Sequence, residues 1–170
     1  MEAVEIKNLL QQQLGVDIEW CSDENGVGDP FAVVPAEKWL EACRLARGHE
    51  QLQFDYLRAL TGTDRPEQEV IEVVAHLFSY RLRHPFVLKT RAQRTQPVLD
   101  SISAVWPAAE WYEREIFDLL GVDFRGHRDL RRIMMPDDWP GHPLRKDYQQ
   151  PDDYHGIPTS RPRAEEQAND

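Results

Sequence analysis

Hydrophobic positions along this chain recur with periods that switch between helical and extended. Ile6, Leu9, Leu10 and Leu14 fall at i, i+3, i+4 and i+8 and Gly15 follows, which predicts an amphipathic helix over 3–14 with a C-terminal stop. Val16, Ile18 and Trp20 alternate with Asp17 and Glu19, the period of a half-buried strand. Ser22 to Pro30 holds Asn25-Gly26 and Gly28-Asp29-Pro30 and reads as a turn, after which Phe31 to Val34 is a second strand pairing back on the first. Pro35 opens a second helix, about 36–47, with Trp39, Leu40, Cys43 and Arg47 at helical spacing before Gly48.

The middle of the chain turns extended. Phe54 to Leu60 fits a strand or a short helix equally, and Thr61 to Arg65 a turn or a short strand. Gln68 to Tyr80, rich in Val, Ile, Phe and Tyr, is the best strand in the chain. Phe86 to Arg91 can pair with it across residues 81–85. Pro97 to Ala104 reads as one short helix leading into a longer one. Helices before, between and after strand pairs predict an α+β domain over 1–122, a mostly antiparallel sheet with packed helices.

Pro107 and Gly121 bracket that longer helix, about 108–120. On its wheel Tyr112, Ile116, Leu119 and Leu120 share a face flanked by Trp111 and Phe117, while Glu110, Arg114 and Asp118 form a polar strip expected to face solvent. Glu113 and Glu115 fall inside the apolar arc. A carboxylate buried without a partner costs several kcal/mol, and the cations follow directly. Residues 125–146 hold six basic residues, Arg125, Arg128, Arg131, Arg132, Arg145 and Lys146, against three acidic ones. The expectation is an ion-pair network in which Glu113 and Glu115 pin this segment through Arg125, Arg128, Arg131 or Arg132.

The segment itself, 123–160, is an irregular arm broken by Pro136, Pro140, Pro143 and Pro151. Met134, Met135, Trp139, His142, Leu144, Arg145, Lys146 and Tyr148 give it an apolar and basic character suited to a partner interface. The tail from Gln149 reads as a solvated extension or a surface strap, and 161–170 as disordered.

Charge and composition narrow the partners. The 170 residues carry a formal net charge of −10 with a pI near 5.0, which disfavours nucleic acid or an anionic membrane as the main partner. No run approaches the ~18 apolar residues of a spanning helix, and the start resembles no presequence, so the chain reads as soluble and cytoplasmic. Cys21 and Cys43 stand 22 residues apart with no histidine at ligand spacing, which supports neither a disulfide nor a metal, and an iron–sulfur cluster needs four such ligands. No glycine-rich phosphate cradle or nucleophile elbow is present. An acid/base or metal site built from Glu113, Glu115, Asp118 and His127 competes with the ion-pair network, which such an acidic helix beside an arginine-rich segment more often forms. His127, His142 and His155 lie at no metal-ligand spacing.

The run Glu113-Arg114-Glu115, Phe117-Asp118-Leu119-Leu120-Gly121-Val122, Gly126-His127, Asp129-Leu130-Arg131-Arg132-Ile133, Met135-Pro136-Asp137-Asp138-Trp139 and Gly141-His142-Pro143-Leu144-Arg145-Lys146-Asp147-Tyr148 resembles the signature of the thirty-kilodalton-type (C) subunit of proton-pumping NADH:quinone oxidoreductase, respiratory complex I. Arg128 and Gln149 stand where many relatives carry proline. The resemblance implies a non-redox structural subunit of the peripheral arm of that complex, on the cytoplasmic side of the bacterial inner membrane. It implies contact with the quinone-chamber (D) and terminal iron–sulfur (B) subunits, and no cofactor in this chain. NADH, FMN, iron–sulfur clusters and quinone would then belong to the assembled complex. The same subunit type occurs in related membrane hydrogenases and in ferredoxin- or F(420)-linked dehydrogenases. A self-sufficient hydrolase and a free-standing binding module are the readings from other classes.

Overall fold

In the computed structural model, which describes residues 1–22 and 29–159, three ten-residue strands carry the sheet. They are β3 (Tyr56–Arg65), β4 (Val70–Ser79) and β5 (His84–Gln93). β4 pairs antiparallel with both neighbours, as its β-branched and aromatic run favours. β1 (Glu19–Cys21) pairs antiparallel with β2 (Phe31–Val34), the expected strand pair, although 23–28 of its turn lie outside the described residues. β2 then runs parallel to β5, giving the order β1-β2-β5-β4-β3. Thr90 Oγ1 donates to the Val34 carbonyl at 3.0 Å across that parallel seam. The sheet is therefore mostly antiparallel with one parallel pairing.

α1 (Ala3–Leu14) buries Ile6, Leu10 and Leu14, and α2 (Trp39–Gly48) buries Trp39, Ala42, Cys43 and Ala46. A 3-10 turn, Ala36–Lys38, leads into α2. α3 (Ala109–Leu120) crosses β3, and all three helices share one apolar core with the sheet.

One segment differs from its sequence reading, and another is settled between two. Residues 97–104 are not a helix. β6 (Val98–Asp100) pairs in parallel with β7 (Asp123–Arg125), and one turn follows, with Val105 N–H and Trp106 N–H both bonded to the Ile102 carbonyl at 2.9 Å. Asp123 N–H caps the Pro97 carbonyl at 2.8 Å, so the helix-like spacing of apolar residues serves a strand and then a turn. Residues 61–65, open between a turn and a short strand, are strand and continue β3, with a register shift between Leu57 and Ala59. Gly62 is there because α3 lies against it: a Cβ would stand 2.4 Å from Leu120 Cδ1 and 3.2 Å from Ile116 Cγ2.

Candidate functional site

The described part of the arm runs from β7 to a short hairpin, β8 (Asp153–Tyr154) with β9 (Ile157–Pro158). Its root is the C-terminal end of α3. An α-helix leaves its last four carbonyls without intrahelical partners. Here Gly121, at φ +76°, returns its N–H to the Phe117 carbonyl at 2.8 Å. The other three are met by the arm: His142 Nδ1 lies 2.9 Å from the Asp118 carbonyl, Leu144 N–H 3.0 Å from that of Leu119, and Arg145 Nε 2.8 Å from that of Leu120. The Arg145 cation also suits the negative end of the helix dipole. A Cβ at position 121 would meet the His142 ring at 2.5 Å, so glycine serves both the left-handed cap and the histidine lying on it.

Asp118 is the hub of this junction. Its Oδ2 accepts the backbone N–H groups of Ile133, Met134 and Met135 at 3.0, 2.7 and 2.9 Å, and its Oδ1 accepts Arg132 Nη1 at 2.9 Å. Burial pushes this carboxyl up, but the N–H groups of Met135, Met134 and Ile133 and the Arg132 guanidinium outweigh it and hold it below the usual carboxylate range. Arg132 Nη2 also reaches the Gly141 carbonyl at 3.0 Å. Beside the hub, Arg114 is buried, with Nε 3.2 Å from the Arg131 carbonyl and its guanidinium 5.0 Å from the Trp111 ring.

A second buried aspartate holds the distal arm. Asp64, near the end of β3, takes Arg94 in two bonds of 2.7 and 2.9 Å and the Lys146 N–H at 2.8 Å, while Arg94 also holds Asp147 at 2.6 Å. The Arg94 hydrogen bonds lower the Asp64 carboxyl against the opposing effect of burial, and the Lys146 N–H adds to them. Farther out, Trp139 Nε1 donates to Tyr148 Oη at 2.8 Å. The Tyr154 ring lies 4.9 Å from Trp139, and Asp138 binds Tyr154 Oη at 2.7 Å and His155 Nε2 at 2.8 Å.

The expected ion-pair network is differently wired. Glu115 is exposed. Glu113 is fully buried, but it accepts from Ser101 Oγ and Ile102 N–H, both at 2.6 Å, and among the described residues no arginine or lysine pairs with it. Arg125 pairs with Asp100 at 2.9 Å, Arg128 with Glu110, Arg131 with Asp129 at 3.0 Å and Arg132 with Asp118. The polar strip expected to be solvated is largely covered, with Arg114 and Asp118 buried, whereas the flanking Trp111 is 63% exposed. The reason is that α3 lies between β3 and the arm, and the arm covers a helix face with backbone N–H and carbonyl groups, which want polar partners.

Glu113 has one titratable neighbour in the arm, His127, whose Nε2 lies 3.9 Å from Oε2. His127 Nδ1 accepts the Asp129 N–H at 3.1 Å, so its proton sits on Nε2 and faces the Glu110 carbonyl at 3.0 Å. Burial pushes the Glu113 carboxyl up to about 7 against the Ser101 and Ile102 hydrogen bonds.

Of the expected interface residues, Met134 and Leu144 are exposed at 63% and 56%, and Lys146 is exposed as well. Met135, Trp139, His142, Arg145 and Tyr148 are half-buried. His142 and Arg145 are spent on the end of α3, so their polar groups face inward. Sequence reasoning missed Asp64, Arg94 and the hub role of Asp118. Among the described residues no group of three or more His, Cys, Asp or Glu could hold a metal ion, and no helix is long and apolar enough to cross a membrane. Cys21 is exposed and Cys43 buried, both as free thiols.

Residues 32–154 match the family model described as respiratory-chain NADH dehydrogenase, 30 Kd subunit. The chain is 37% identical over 149 residues to the C subunit of NADH-quinone oxidoreductase from Chlorobium phaeobacteroides, covering 87% of this chain and 89% of that one. It is 44% identical over 138 residues to the protein of the same name from Moorella thermoacetica, covering 81% and 90%. It is 40% identical over 132 residues to the C subunit of F(420)H(2) dehydrogenase from Methanosarcina mazei, covering 74% and 81%. Among solved structures, a chain of the membrane-bound sulfane sulfur reductase, an archaeal respiratory membrane complex, superposes with TM-score 0.70 at 27% identity, covering 86% and 85%. The trypsin-resistant fragment (1-134) of Nqo5 superposes with TM-score 0.61 at 26% identity, covering 76% of this chain and 100% of that one.

Proposed function

Because the chain belongs to the family of the 30 Kd subunit of respiratory-chain NADH dehydrogenase, we propose that its share in that complex is to dock neighbouring subunits through the arm laid on α3. It is a subunit of an NADH-quinone oxidoreductase, an assembly that passes electrons from NADH to quinone. In our reading this subunit is non-redox, and NADH, FMN, the iron–sulfur clusters and quinone are held elsewhere in the assembly.

One observation carries the reading. The arm spends its inward polar groups on α3 and Asp64, which fixes its backbone, and leaves Met134 and Leu144 turned out. An ordered irregular segment with exposed apolar side chains is suited to burial against another chain. The basic excess of 125–146 on a chain of net charge −10 suits a partner with acidic groups around an apolar patch. We assign this role to the quinone-chamber subunit, and place the terminal iron–sulfur subunit next to it. Attachment to the membrane is then indirect, on the cytoplasmic side. The likeness to the Methanosarcina mazei protein favours one second reading, the equivalent place in an F(420)-linked dehydrogenase.

The test is mild-detergent co-purification of the tagged chain from its native membranes, beside a Met134→Glu/Leu144→Glu variant. The wild type is expected to bring down iron–sulfur and membrane-spanning subunits with NADH-dependent quinone reduction. The variant, folded as judged by circular dichroism, is expected to lose recovery more than tenfold, as befits the loss of an anchor worth ~2 kcal/mol or more. Full recovery of partners and activity by the variant would overturn the docking role. Recovery of the assembly with reduced F(420) as the only active donor would move the chain to the second reading.

A further inference from the structure

Glu113 meets the turn that follows β6. Its Oε1 accepts the Ile102 N–H at 2.6 Å and its Oε2 lies 2.6 Å from Ser101 Oγ. Ser101 Oγ is in turn 2.8 Å from Ser103 Oγ and accepts the Ser103 N–H at 3.2 Å. Glu113 is fully buried, Ser101 is buried and Ser103 is half-buried. The two hydroxyls thus form a line from an enclosed carboxyl toward solvent.

A hydroxyl offers one donor and two acceptor positions. With Glu113 ionised, the Ser101 O–H donates to Oε2, and Ser101 Oγ accepts the Ser103 N–H and the Ser103 O–H. With Glu113 protonated, Oε2–H donates to Ser101 Oγ, the Ser103 N–H keeps its place, and the Ser101 O–H turns to Ser103 Oγ. Every position on Ser101 is filled in both states, and no heavy atom has to move. Buried polar groups satisfied in only one protonation state would lock the carboxyl into that state.

We propose that Glu113, Ser101 and Ser103 form a proton-holding site where α3 meets the turn after β6, loaded from solvent through the two hydroxyls. A proton arriving at Ser103 Oγ displaces that residue's own proton to Ser101 Oγ, and the Ser101 proton passes to Glu113 Oε2. Both serines end neutral, and only O–H bonds form and break. Unloading is the reverse.

The groups around the carboxyl allow both states. Glu110, on α3, opposes ionisation. Cys43, from α2, is a buried thiol pushed up first by burial and then by the charge of Glu113. His127, from the arm, commits its Nε2 proton to the Glu110 carbonyl. Enclosure then carries the carboxyl to about 7.

Carbon-13 NMR of the full chain labelled in its glutamate carboxyls reads the site directly. One carboxyl is expected to titrate about neutrality and to vanish in Glu113→Gln. Ser101→Ala removes a donor to the carboxylate and should raise the midpoint, while Ser103→Ala removes the acceptor that the protonated state needs and should lower it. The Ser101→Ala shift should be about one pH unit, the size of one hydrogen bond to a charged group, and the Ser103→Ala shift about half that, because the bond lost joins two neutral hydroxyls. Ser103→Thr, which keeps a hydroxyl, should restore the wild-type midpoint, and amide spectra establish that each variant is folded. Titration of every glutamate in the ordinary carboxylate range would overturn the proposal. So would serine variants that shift the midpoint in the same direction, or a Ser103→Ala midpoint equal to the wild type.

Discussion

At Asp118 a single carboxylate oxygen receives three consecutive backbone N–H groups, and its companion oxygen receives an arginine. The backbone at 133–135 has to curl around that oxygen, so the side chain works as a mould for the arm. Asp118→Ala leaves Arg132 and three amides facing an enclosed void, and removing one partner of a buried charged cluster costs about 3–5 kcal/mol. Denaturant titration should show a loss of that size, with faster hydrogen exchange at Ile133, Met134 and Met135. Asp129→Ala breaks the exposed pair with Arg131 and a longer contact of 3.8 Å with Arg114, and should cost about 1 kcal/mol. Equal losses in the two variants would refute the mould. Sequence spacing placed Glu113 and Asp118 on their faces of α3, yet it assigned burial by apolar neighbours alone. A helical wheel records side chains and is blind to a covering layer made of backbone, which is why Asp118 read as solvated and Glu115 as buried.

Among the elements, β3 and α3 depend on one another through a missing side chain. With no Cβ at Gly62, Leu120 and Ile116 sit directly on the strand. Gly62→Ala forces the end of Leu120 aside and presses on Ile116, whose branched side chain has little freedom, so a loss of about 1–3 kcal/mol is expected from thermal or denaturant unfolding. Adding Leu120→Ala to Gly62→Ala should recover part of that loss in a double-mutant cycle, because the two changes share one space. Strictly additive effects would mean that the contact is not the cause. The same close approach limits what the sequence discloses. Helices α1 and α2, strands β4 and β5 and the β1–β2 pairing follow from period, proline and glycine, all of which act locally. The choice of strand over turn at 61–65, the strand at 98–100 and the parallel seam between β2 and β5 come from partners far along the chain, and local pattern alone does not decide them.

Across the whole molecule, three buried carboxyls give stability opposite slopes with pH. Asp64 and Asp118 are depressed in the folded chain, so their contribution is present above the unfolded aspartate value and is lost as pH falls through the folded one. Glu113 is raised from 4.5 to about 7. Its contribution is full below 4.5 and is lost as pH rises through 7, where the unfolded chain already holds an ionised glutamate and the folded chain must ionise an enclosed one. The shift corresponds to a loss on the order of 3 kcal/mol, most of it between pH 5 and 8. Unfolding free energies measured across that range should therefore decline toward the alkaline side. In Glu113→Gln the decline should flatten, because an amide has no proton to lose. The acid-side loss from Asp64 and Asp118 should remain in that variant. An alkaline decline of equal size in both proteins would place its origin in another group and would remove Glu113 from the balance that sets the stability of the fold.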